Sequence, residues 1–131
     1  MDQARSQVVL LSKYFLKMAQ SVGDFHFLHW DLLTKEQHQL LSRQQKSLLE
    51  SGESVLIRDV SFPTTEVKKA IDSLQSLTVK IRAIFGPLED IQKGIGMIVK
   101  VANLVEAVAS ANVLDAVAAL EGLERLGMAS D

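Results

Sequence analysis

The chain has 131 residues, enough for one domain that buries its own core, and 47% of them are apolar. Its 14 basic and 16 acidic residues leave a formal net charge of −2 without a basic block, which argues against generic nucleic-acid binding. Cysteine is absent, and with it go disulfides, thiolate zinc sites, iron–sulfur clusters and thiol nucleophiles.

The opening "MDQARSQVVLLSKYF" carries Asp2 and Arg5 ahead of a short apolar patch that Ser12 and Lys13 interrupt. A secretory signal needs a longer apolar run and a small-residue cleavage site, so a cytoplasmic location is expected. Leu11, Phe15, Met18, Val22, Phe25, His29 and Leu32 recur at spacings of four and three, which predicts a helix from about residue 4 to residue 32. Gly23 interrupts it as a candidate kink. "TKEQ" then forms a capping box, Thr34 with Gln37, opening a second helix over 35–51 that Gly52 is expected to stop.

"ESVLIRDVSFP" departs from the helical rhythm. Its Val55, Leu56, Ile57 and Val60 read as an extended connector across the bundle, or as a strand at 55–60 pairing with a second copy of the chain. Pro63 suits the start of a third helix, which Thr64 or Thr65 can cap. Val67, Ile71, Leu74, Thr78, Ile81 and Phe85 form its seam, widened by Ala70, Leu77 and Ile84. Gly86-Pro87 ends that helix, and Glu89 and Asp90 favour the N-terminus of the next.

From Leu88 onward the pattern is apolar on most of the helical circumference, leaving a narrow polar stripe through Gln92, Lys93, Gly96, Lys100, Asn103, Glu106 or Ala107, and Ser110. Asn112 and Asp115 can restart the chain, giving helices at about 88–109 and 113–126. The fold class expected is therefore all-α: an antiparallel bundle of four to five helices in a single domain spanning 1–131. A helix apolar nearly all round must be covered by neighbours. Ile91, Ile95, Ile98, Val101, Leu104, Val105 and Val108 are the face expected to make a self-contact in a homo-oligomer. Insertion into a membrane is the competing use of this segment, but Lys100, Glu106 and Asp115 interrupt any spanning window, so no membrane partner is expected.

All three histidines and the single tryptophan fall within residues 26–38. His26 and His29 share a helical face, and a turn at 31–34 would let His38 approach them, with Asp31 and Glu36 as carboxylates near by. Those five residues are the candidate metal ligands, for zinc, iron or copper. His29 also continues the apolar seam of the first helix, so plain packing is the competing reading.

"FHFLHWD" resembles the His-Trp element of the starvation-induced, ferritin-like DNA-protecting proteins. The resemblance implies an iron site at a subunit interface, with His29-Trp30 as its first part and His38 as its second. Arg43 and Gln44 stand where that family has carboxylate ligands, and His29 and His38 are closer than its loop allows, so membership is not assigned. The Glu-x-x-His pair of di-iron bundles, the Gly-x-Ser-x-Gly elbow and the His-Glu-x-x-His motif are all missing. No catalytic residue and no cofactor is assigned. The expected role is non-enzymatic: an interaction or assembly protein with itself or another protein as partner, with a metal- or small-ligand-binding bundle as the alternative and a membrane-active protein as a third.

Overall fold

The structure is a computed structural model describing residues 3–57, 62–110 and 113–128. Five helices follow one another: α1 (Gln3–Leu28), α2 (Lys35–Ile57), α3 (Thr64–Arg82), α4 (Leu88–Ser110) and α5 (Val113–Met128). A single 3₁₀ turn, Trp30–Leu32, joins α1 to α2, and the described residues contain no strand. The all-α bundle expected from the apolar periodicities is what the chain forms.

Contacts close into a ring in the order α1, α2, α4, α5, α3 and back to α1. Ser12 Oγ donates to the Gly52 carbonyl at 2.7 Å, and His26 meets His38, so α2 runs back along α1. Gln75 donates to the Tyr14 hydroxyl at 2.6 Å and Arg82 pairs with Asp24 at 3.8 Å, so α3 lies beside α1 in the same direction. Successive helices alternate in direction, yet α1, α3 and α5 form a parallel layer over α2 and α4. One core cluster joins all five helices, including Phe15, Leu41, Leu74, Ile98 and Leu120.

The α4 seam is where the structure revises the expected self-contact. Ile91, Ile98, Val101, Val105 and Val108 have no exposed surface, Ile95 is buried, and Leu104 packs partly buried against the core. Their cover comes from this chain's own helices, chiefly α2 and α5. The ring is wide enough to take α4 whole apart from its stripe: Gln92, Lys93, Gly96, Lys100, Asn103, Glu106 and Ser110 are exposed. Among the described residues, no helix is long and apolar enough to cross a membrane.

Other expectations shift for local reasons. Helix α1 passes through Gly23 without a break and ends at Leu28, four residues short of the periodicity's limit, so Leu32 turns outward. Gly52 does not stop α2. It is buried against Leu16 and Ser12, where a Cβ would sit 3.0 Å from Leu16 Cδ2, so the glycine serves close approach of α1 and α2. Leu41, Leu48 and Val55 continue one buried row through it, and Val55–Ile57 are helical rather than extended. The rest of the predicted connector, 58–61, lies outside the described residues, as does Asn112.

Neither Thr64 nor Thr65 caps α3; its N-cap is Pro63, whose carbonyl accepts from the Val67 N–H at 3.1 Å. Phe85 leaves the α3 seam because the helix ends at Arg82, and it is exposed before Gly86, whose φ of 115° takes the turn.

Truncating a buried α4 side chain should therefore weaken the single chain. Ile98→Ala is expected to cost about 2–5 kcal/mol in urea unfolding, with a loss relative to the wild-type chain that is the same at every protein concentration. A loss that varies with protein concentration would place the cover of α4 in another copy instead.

Candidate functional site

His26 and Trp30 are four residues apart at the end of α1, so their rings lie on one side, stacked with centroids 4.8 Å apart and planes 19° from parallel. The chain then reverses. Thr34 Oγ1 accepts from the Gln37 N–H at 3.1 Å while Gln37 Oε1 accepts from the Thr34 N–H at 2.9 Å, the reciprocal box read from "TKEQ". That cap sets the rotation of α2 and brings His38, in its first turn, against the α1 pair. His38 lies 4.2 Å from Trp30 and 5.0 Å from His26, centroid to centroid.

His26 Nε2 and His38 Nδ1 are 2.8 Å apart, a hydrogen bond that requires one proton between the two nitrogens. When the pair is neutral, one of the outward nitrogens, His26 Nδ1 or His38 Nε2, bears no proton. A single added proton leaves the bond intact and makes both of them donors. A second would set two N–H groups against each other. Burial is the main cause lowering the His26 pKa below the ordinary histidine value, and the His38 charge adds to it.

His29 behaves differently. Its Nδ1–H donates to the Phe25 carbonyl at 3.1 Å and its ring lies 4.5 Å from that of Phe25, so it packs into the core; burial lowers its pKa. Asp31 and Glu36 are exposed on either side of the turn. Of the five candidate metal ligands the structure joins only His26 and His38. Among the described residues no group of three or more His, Asp or Glu side chains is placed to hold one metal ion.

An open depression of about 490 Å³ begins where the two imidazoles meet, lined by His26, Trp30, His38, Gln39, Ser42 and Arg43. Gln39, Ser42 and Arg43 were absent from the expected site. The available signal was helical spacing: Ser42 lies four residues from His38, and Gln39 and Arg43 lie four residues from one another on the adjoining face of α2. Around the same turn, Phe27, Leu28, Trp30 and Leu32 are all exposed, and Phe27 is 81% exposed. Phe85 and Leu88, also exposed, belong to the α3–α4 turn at that end of the bundle, where Ile84 and Phe25 meet over Gly94. No protein-family model, no curated protein and no solved structure matches the chain.

The lowered histidine pKa values carry a sign. The unfolded chain takes up protons at His26 and His29 near the ordinary histidine value of about 6.5, and the folded chain resists them. Their contribution to stability is complete above that pH and is lost as pH falls through it toward the folded values. Glu124 acts in the opposite sense in more acid solution, its carboxyl pushed up by burial and by the neighbouring Glu66. The discriminating measurement is therefore comparative: the urea midpoint should fall between about pH 7.5 and pH 5, and fall less in His26→Gln. Identical pH profiles would mean that His26 titrates alike in both states.

Proposed function

We propose that the protein is a non-enzymatic, cytoplasmic interaction protein that assembles with itself through the α1–α2 corner rather than through its C-terminal helices. One observation carries this reading: four large apolar side chains within residues 27–32 face solvent, while the α4 seam is covered by its own chain. Contiguous exposed apolar surface of this kind marks contact sites, whereas scattered residues such as Val79 do not. The missing cysteines fit a reducing compartment. A non-enzymatic role is supported by the two imidazoles spending a nitrogen each on one another.

Sedimentation of the full chain at micromolar concentration is expected to show a dimer or larger species. Phe27→Asp should yield a monomer with unchanged helicity, because Phe27 has little packing to lose. A wild-type monomer, or a variant that still associates, would remove the corner as the contact.

A second reading, a metal carrier, is favoured by the His26–His38 geometry alone. The nitrogens need to part only slightly from 2.8 Å to share one tetrahedral zinc ion at ordinary Zn–N lengths of about 2.0–2.1 Å. Zinc titrated into purified protein should then bind at one equivalent per chain and fail to bind His38→Ala. Equal binding by both proteins would end that reading.

A further inference from the structure

The depression beside the paired histidines shares Trp30 with the proposed contact surface, but its polar groups have a chemistry that assembly does not use. Its polar lining residues are Arg43, His26, His38, Gln39 and Ser42, and no carboxylate lines it although acidic residues outnumber basic ones in the chain. Among the described residues Arg43 makes no ion pair; the two present are Arg82 with Asp24 and Lys93 with Glu89. Its planar guanidinium, with five donors, is thus free for a ligand and matches a carboxylate or phosphate edge. Trp30 supplies the other half of the site, since 54% of it stays exposed beside the depression despite the two imidazole contacts. An apolar wall beside a few convergent polar groups is the general form of a small-molecule site.

We propose that this depression binds a small oxyanion carried on a planar apolar body, with the ring against Trp30 and the oxygens on Arg43, aided by Gln39, Ser42 and His38. The proposal rests on the depression alone and does not require self-association.

Trp30 is the only tryptophan, so the single indole N–H resonance in a ¹H–¹⁵N spectrum reports on the site directly. Naphthalene-2-carboxylate titrated into the full chain should shift that resonance saturably, with a dissociation constant of about 1 mM or tighter. Arg43→Gln should weaken binding by roughly tenfold or more, the effect expected for losing a charge-assisted pair. Naphthalene-2-carboxamide, without the charge, and inorganic phosphate, without the ring, should each bind at least about tenfold more weakly than the naphthoate. An indole resonance that does not move, binding unaltered by Arg43→Gln, or equal binding of either control overturns the proposal. Repeating the titration with Phe27→Asp separates the two ideas: a monomer that binds supports the ligand site whatever becomes of assembly, and an oligomer-only response overturns an independent site.

Discussion

Covering α4 is the constraint from which the architecture follows. Its Ile91, Ile98, Val101, Val105 and Val108 leave no side-chain surface in water, and each such burial is worth about 1.5–3 kcal/mol against a backbone ordering cost of about 1–2 kcal/mol per residue. Most of the cover comes from the two helices on either side, α2 and α5. The chain meets the demand by closing a ring in which α2 and α5 flank α4 and α1 and α3 complete the circuit. Beyond the first turn of α4, its exposed positions form the stripe from Gln92 to Ser110, which carries no large apolar side chain.

Closure of that ring needs close helix approach at a few places, which small residues provide. Gly52 meets Ser12 and Leu16 between α1 and α2, Gly122 lies against Leu104 between α4 and α5, and Gly127 lies on Ser73 between α3 and α5. A Cβ at Gly127 would come within 2.8 Å of the Ser73 Cα, so the α3–α5 spacing tolerates no side chain there without a shift of backbone. These contacts hold the layers at the separation at which the larger side chains interdigitate.

The corner with the histidines is a by-product of the same reversal. Helix α1 has to end before α2 can turn back, and the reciprocal cap at Thr34 and Gln37 sets where α2 begins. That rotation places His38 on His26 and Arg43 on the rim of the depression. Phe27 and Leu32 stay exposed beside this turn. Apolar exposure and the unpaired Arg43 thus arise at one chain reversal.

Periodicity, with caps and breakers, determined the helices and where most of them begin: α3, α4 and α5 start within a residue of the expected positions and the cap at Thr34 is read directly from four residues, whereas the ends of α1, α2 and α3 were misplaced. Such features depend on contacts within a few residues of chain, so sequence order carries them. What covers α4, and what Gly52 is for, depended on contacts between distant segments. An apolar face reads identically whether its partner is the same chain or another, and a helical glycine looks the same as a stop or as a point of close approach. The histidines divide along that line as well. That His29 packs was legible from the seam it continues, and so was the turn at 31–34 that lets His38 approach; that His38 meets His26 alone, while His29 turns to the Phe25 carbonyl, was decided by how α2 packs along α1.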